Sequence, residues 1–523
     1  MSNKKVSLVA RQIIWLMSLA FLLGTLFLVF NHNAHWIFLT GPVIIFAVVV
    51  YDTFQTHHSI RKNYPLVGRL RYLFEAFRPE FRQYFFEGEL DGKPFNRRQR
   101  SIVYQRAKNE KQTISFGMQD DPNRVGYEWA AHSVYPKHAD SKTFRTLVGG
   151  KDCTQPYSAS IYNISAMSYG ALSKTAVMSL NKGAKLGNFA HNTGEGGISD
   201  YHRKGGDLIW QIGTGYFGCR DEKGNFSPTL YQERAAGWDE VKMIELKLSQ
   251  GAKPGHGGLL PAEKNTPEVA KIRTVQPGTT VHSPSSHSAF NDATGLIKFI
   301  KQLRDLSNGK PIGFKICIGR KDEFLDIVKA MKTLNIYPDF ITVDGAEGGT
   351  GAAPLEFIDY MGMALGDALV FVNKTLQENG IREEIRVFAA GKVISAFDLA
   401  KALSLGADAC YSARGMMFAL GCIQALQCDS GKCPVGIATQ DKQLYKGLDI
   451  TDKQVRVANF HKNTLNAMAE FIGACGFESH EEITPDVFFR RNEHGKNDSF
   501  AEIYYNNSKN IKKNNTNSSF LNI

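Results

Sequence analysis

The sequence predicts an α/β chain: a (β/α)8 TIM barrel preceded by an N-terminal transmembrane helical hairpin. Three observations carry that expectation. Two uncharged apolar runs stand near the N-terminus, short apolar runs alternate with helical patterns from about Ile161 to Ile472, and glycine clusters close several of those runs.

Gln12 to Phe30 carries no charge over nineteen positions, which at 1.5 Å per residue matches the roughly 30 Å of a bilayer core. Trp36 to Tyr51 is a shorter apolar run that spans only with its flanks thinned or snorkelled. A cleaved signal peptide is the rival reading, and the second run argues against it. Lys4, Lys5 and Arg11 precede the first run and Arg61, Lys62, Arg69 and Arg71 follow the second, while the break between holds no Lys or Arg. Both ends are therefore expected in the cytoplasm, with the chain membrane-anchored and the large domain that follows facing the cytoplasm. An interfacial or re-entrant second helix would reverse that side.

The net charge of +11 comes with 51 acidic residues, and much of the excess lies beside the apolar runs and in the tail. With no recognisable nucleic-acid module, the charge predicts membrane-surface attraction and no nucleic-acid partner. His57 to about Asp140 is rich in Arg, Phe and Tyr at helical spacings, which reads as amphipathic helices against the membrane or the next domain. The closing stretch "NNSKNIKKNNTNSSFLNI" has little to bury and is expected to be a disordered tail.

Nine candidate strands follow one another between these ends, starting at Ile161, Phe189, Leu208, Met243, Thr279, Ile312, Phe340, Arg386 and Ala409. Nine suit an eight-stranded barrel with one miscounted or added; an open doubly wound sheet is the alternative. Helical stretches such as Ala289 to Leu306 and Ala396 to Leu405 lie between them. At the strand ends, "HNTGEGG", "GAKPGHGG" and "DGAEGGTGAAP" allow backbone to approach a ligand closely, and Gly391 and Gly415 fall where barrels hold a phosphate. Of the 8 cysteines, Cys422, Cys428 and Cys433 fall within twelve positions, and Pro434 follows the last. Soft thiolates at that density suit an iron–sulfur or zinc site; a disulfide is disfavoured in a reducing cytoplasm.

"SAMSYGALSK", "NTGEGG", "KLSQGAKPGHGGLLP", "DGAEGGTGAAP" and "LGCIQALQCDSGKCPVGIATQD", in this order, resemble the synthase domain of glutamate synthase over roughly Asp152 to Phe477. Among its members, the chain is most similar to the short, membrane-anchored FMN-binding glutamate synthase family proteins. The resemblance implies FMN and a 3Fe-4S cluster held by Cys422, Cys428 and Cys433. It implies that Ala166, Met167 and Ser168 meet the flavin ring and that Thr193, Gln211 and Lys247 line its polar edge. Gly348, Gly349, Gly351, Gly391, Arg414 and Gly415 would surround the ribityl phosphate. A cation near the flavin pyrimidine stabilises the reduced anion, a task open to Lys247 or Lys315.

The family reaction condenses ammonia with 2-oxoglutarate and reduces the imine. For the dicarboxylate the resemblance offers Lys247, Lys253 and Arg273, with Glu195 managing protons and Gln250 as a hydrogen-bonding partner. Two differences fall at the substrate end: His256 stands where the large enzymes tend to have Glu in "GAKPGEGG", and "SPSSHSA" stands for "SPPPHHD". They leave a different substrate open, such as an N-methylglutamate synthase-type reaction, or a role in electron transfer. No glutaminase or nicotinamide domain is expected, so free ammonia or an amine would be the nitrogen source. A ferredoxin, a reductase or a membrane donor would supply electrons. The expected organisation is a two-helix anchor over 1–56, an amphipathic region packing on the barrel over 57–150, the flavin and cluster barrel over 151–480, and an extension over 481–523.

Overall fold

The computed structural model describes residues 3–32, 34–110 and 112–505; the expected disordered tail lies outside them. The chain divides into two compact units, Met1–Arg97 and Arg98–Ile523.

In the first unit, α1 (Asn3–Asn31) and α2 (Thr40–Phe54) form a helical hairpin. The segments Arg11–Asn31 and Trp36–Phe54 are long and apolar enough to cross a membrane by length and composition. Trp15 ties the two together, its indole nitrogen donating to Thr53 Oγ1 at 2.9 Å and its ring meeting Phe46 edge-on. Near the end of α2, the buried Asp52 carboxylate takes the Arg69 guanidinium in a two-point contact at 2.7 and 2.8 Å and also accepts from Leu66 N. That pair fixes the start of α3 (Gly68–Phe81), whose Leu70, Leu73, Phe74, Phe77 and Phe81 form one exposed apolar stripe at helical spacing.

The second unit is a closed barrel of eight parallel strands, in order β1 (Tyr162–Ile164), β2 (His191–Asn192), β3 (Leu208–Ile212), β4 (Val241–Lys247), β5 (Ile312–Ile316), β6 (Phe340–Asp344), β7 (Arg386–Ala390) and β8 (Ala409–Ser412). Pairing of Cys410, Tyr411 and Ser412 with Tyr162, Asn163 and Ile164 closes the circle and overturns the open-sheet alternative. The ninth candidate, at Thr279, is not a barrel strand. Only Val281–His282 is extended there, and it pairs antiparallel with Leu259–Leu260 in the long excursion between β4 and β5. It pairs with no barrel strand, and the two-stranded ribbon it forms hangs over the barrel mouth.

Helices begin where side-chain oxygens can satisfy orphan amides. Ser173 caps α4 (Lys174–Gly187), Asp292 caps α5 (Ala293–Leu306), and Ser395 with Asp398 makes a reciprocal cap on α6 (Ala396–Ser404). No helix stands between β2 and β3 among the described residues. After β8, α7 (Ile450–Ala474) packs on α4 so closely that a Cβ on Gly183 would sit 2.6 Å from Val457 Cγ1.

Inward-facing residues stack in layers. The hairpin Arg145–Val148/Tyr157–Ser160 plugs the N-terminal end, and its Val148, Tyr157 and Ala159 share one core with Ile209, Met243, Phe340, Phe388 and Tyr411. Two residues further along three of these strands, the layer turns polar at Gln211, Glu245 and Thr342, all buried. Above it opens the cavity at the C-terminal ends of the strands.

Candidate active site

The strand ends enclose an open cavity of about 1080 Å³ including the space at its mouth. Ala166, Met167 and Ser168 from the end of β1 form one wall, Gly349, Gly351 and Arg414 another, and Leu259, Leu260 and Ser283 of the hanging ribbon a third. Glu195, Gln211, Lys247, Gln250, Lys253 and Arg273 also reach the surface of this one space, as does Cys428. Gln211 and Lys247 arrive there as the inward residues of parallel strands, and the others come from the segments that follow the strand ends.

Lys247 Nζ and Glu195 Oε1 form an ion pair at 2.8 Å. Burial works against the Glu195 charge, but Lys247, Lys253 and Arg273 outweigh it and hold its pKa below the ordinary range. Burial, and then the neighbouring Lys247, lowers the pKa of Lys253. Burial brings Arg273 down to about 10. Arg273 Nη2 donates to Tyr169 O at 3.2 Å, while its Nε is buried with no partner among the described residues. With Lys264 and Arg414, the cavity carries five cations against Glu195 and Asp429. Such a surplus suits an anionic ligand.

Other residues singled out in the sequence lie behind this wall. Thr193 is buried, donating to Gly194 O and accepting from Gln211 N. Lys315 sits in the barrel paired with Asp344 Oδ2 at 3.0 Å. Burial opposes its charge, but Asp344 and then Glu245 raise its pKa. Gly348 approaches Asp344 so closely that a Cβ would lie 2.9 Å from its Oδ1, and a Cβ on Gly415 would lie 2.5 Å from Ser412 Oγ. Gly391, at φ +149°, borders Leu365 and Glu347. A Cβ on Gly251 would stand 1.9 Å from Gly345 O, which is why the two loops "GAKPGHGG" and "DGAEGG" need glycine where they touch.

Cys422 and Cys428 are half-buried and Cys433 is buried. Tyr104 Oη donates to Cys422 O, Lys264 Nζ to Cys428 O, and Arg414 Nη1 lies 3.5 Å from Cys428 Sγ. Among the described residues no three His, Cys, Asp or Glu side chains converge as ligands of a single ion.

Sequence reasoning passed over Glu245, Asp344, Lys264 and His287. The first two were readable, since alternation puts residues 245 and 247 on one face of β4 and residues 342 and 344 on one face of β6. Lys264 and His287 come from the excursion between β4 and β5, where no periodicity announces an inward direction.

The conserved region in glutamate synthase matches residues 148–478. The chain belongs to the glutamate synthase family. It is 36% identical over 497 residues to the glutamate synthase large subunit-like protein YerD of Bacillus subtilis, covering 87% of this chain and 94% of that one. It is 35% identical over 322 residues to the archaeal glutamate synthase [NADPH] of Methanocaldococcus jannaschii, covering 61% of this chain and 60% of that protein. A solved flavocytochrome b2 variant with pyruvate bound superposes with a TM-score of 0.41 at 13% identity, over 86% of this chain and 93% of that one, too distant to bear on function. As a member of the glutamate synthase family the chain is an oxidoreductase acting on CH–NH2 donors.

Proposed function

We propose that this cavity holds FMN and reduces an imine, formed from 2-oxoglutarate and ammonia or an amine, to an amino acid. The observation that carries the reading is the meeting of Lys247, Lys253, Arg273 and Glu195 with Ala166 to Ser168 and the Gly349–Gly351 loop around one space at the strand ends. The residues fit the cofactor: Gly351 has open space where a Cβ would stand, and Arg414 is present for a phosphate. Bound FMN would supply hydride transfer.

The chain's own residues would do the rest. Arg273 and Lys253, which line the cavity, would bind the substrate carboxylates. Glu195, kept ionised by its cations, would accept a proton as the amine adds, and Lys247 would hold its far oxygen and the flavin pyrimidine edge. Gln250, whose amide reaches Thr350 Oγ1 at 3.4 Å, would orient the substrate.

Cys422, Cys428 and Cys433 are proposed as the ligands of a 3Fe-4S cluster. Each thiolate in such a cluster meets a different iron, so the sulfurs need not converge on a point. Electrons would come from a separate donor. The apolar hairpin would anchor the chain to a membrane with the barrel on the cytoplasmic side.

Anaerobic reoxidation of the dithionite-reduced, detergent-solubilised protein tests the reaction. Reoxidation that needs 2-oxoglutarate and ammonia together, with glutamate formed, supports it; a flavin that ignores the pair refutes this substrate. For the cluster, Cys428→Ser is expected to lose the iron, and stoichiometric iron in that variant would refute the ligand set.

A further inference from the structure

The polar layer beneath the cavity is built around one carboxylate. Glu245, fully buried on β4, accepts from Asn192 Nδ2 at 2.8 Å and Gln211 Nε2 at 2.7 Å on one oxygen, and from Thr342 Oγ1 at 2.6 Å on the other. These donors come from β2, β3 and β6, so a single side chain gathers three other strands across the barrel axis.

The direction of each amide follows. An amide oxygen turned toward Glu245 Oε1 would set two acceptors against each other at hydrogen-bond distance, a buried clash with no donor to relieve it. Gln211 must therefore give its nitrogen to Glu245. Its oxygen is then the atom left over. It has no partner among the described residues, it is not sealed inside the protein, and Gln211 lines the cavity. Asn192 is pinned in the same way, its oxygen accepting from Gly194 N at 3.1 Å beside Glu195. Lys247, two residues beyond Glu245 on the same face of β4, points into the same space.

We propose that Glu245 is a positioning residue: by consuming the Gln211 amide nitrogen it leaves the Gln211 carbonyl oxygen facing the cavity, where it accepts a hydrogen bond from the N3–H of bound flavin. The proposal rests on the FMN reading and adds what that reading does not contain, the polarity of the cavity floor and the buried residue that sets it. A floor with an acceptor at this point selects ligands presenting an N–H there and rejects those presenting a carbonyl. Glu245 itself touches neither cofactor nor substrate.

The test uses the full-length, detergent-solubilised chain reconstituted with FMN labelled with 15N at N3, and reads the hydrogen-exchange rate of the N3 proton by NMR. The wild-type protein is expected to slow that exchange about tenfold relative to free FMN, which corresponds to one hydrogen bond of about 1.4 kcal/mol. E245Q offers Gln211 a donor as well as an acceptor and frees its amide to turn; exchange should speed up by about tenfold and the FMN dissociation constant should rise. T342V removes the donor on the other oxygen and leaves the Gln211 contact, so its exchange should stay as in wild type. A folded E245Q with wild-type exchange overturns the proposal. So does wild-type protein whose bound FMN exchanges N3–H as freely as FMN in solution, a result that holds even where E245Q does not fold. Wild-type protein that binds no FMN would instead bring down the cofactor reading, and this proposal with it.

Discussion

Two layers of the same barrel, one pleat repeat or about 6.6 Å apart, do opposite work. Ile209, Met243 and Phe340 belong to the apolar layer over the hairpin plug, and Gln211, Glu245 and Thr342, two residues on along the same strands, form the polar layer under the cavity. The lower layer is held by area removed from water, which tolerates any well-shaped apolar neighbour. The upper one is held by hydrogen bonds that converge on Glu245, so each member dictates the orientation of the next. Stability and chemistry are thereby separated along each strand.

The largest expected effect breaks the lower layer. Phe388 is fully buried, with ring centroids 5.4 Å from Phe340 and 5.2 Å from Tyr411. Phe388→Ala should cost about 3–5 kcal/mol and lower the denaturation midpoint of the barrel, while the fraction that stays folded keeps its turnover within a few-fold. Turnover that falls with no loss of stability would show that the layers are not separable.

A change at the rim should do the reverse. Lys247→Met removes the cation paired with Glu195 and, on the proposed reading, the charge beside the flavin. We expect kcat/KM to fall by about 10²–10³-fold and the flavin potential to drop, with unfolding shifted far less than by Phe388→Ala. An unchanged flavin potential would refute the role given to Lys247.

The same contrast explains how much the sequence discloses. Short apolar runs alternating with helical patterns, and the glycine clusters at their ends, make the barrel legible, and the ordered motifs carry Ala166 to Ser168, Glu195, Lys247 and Lys253, all of which line one cavity. The segment at Thr279 fails because "TTVHSP" has strand composition, yet its partner is the equally short Leu259–Leu260 and not a barrel neighbour; pairing partners are nonlocal and leave no local mark. Glu245 escapes notice for a different reason. Alternation puts it on the face of Lys247, but a lone acid in "MIELKLS" also suits a solvated position, and the three donors that meet it come from other strands.

A smaller, pH-dependent effect sharpens the comparison by asking whether the rim contributes any stability at all. His287 is buried, with Nε2 at 2.9 Å from Lys247 O and Nδ1 at 3.1 Å from Tyr216 Oη. A carbonyl can only accept, so Nε2 carries the proton and Nδ1 takes the tyrosine hydroxyl, which fixes a neutral ring beneath the backbone of the cavity lysine. Burial brings the pKa of this imidazole down from 6.5 to about 4. A folded-state pKa below the unfolded one means that the contribution is complete above the unfolded value. It falls away as pH drops through the window, because the unfolded chain takes up a proton that the folded chain refuses. The slope is about 1.4 kcal/mol per pH unit between roughly 6.5 and 4, near 3 kcal/mol in all. His287→Gln keeps a donor for Lys247 O and removes the titration. His191, His202 and His461 titrate alike in both proteins and cancel, so wild type should exceed the variant in stability at pH 7.5 and lose that advantage progressively by pH 4. A stability difference that stays constant across this range would show that His287 is held by shape alone, and that the rim, like the layer two pleats below it, draws its stability from packing.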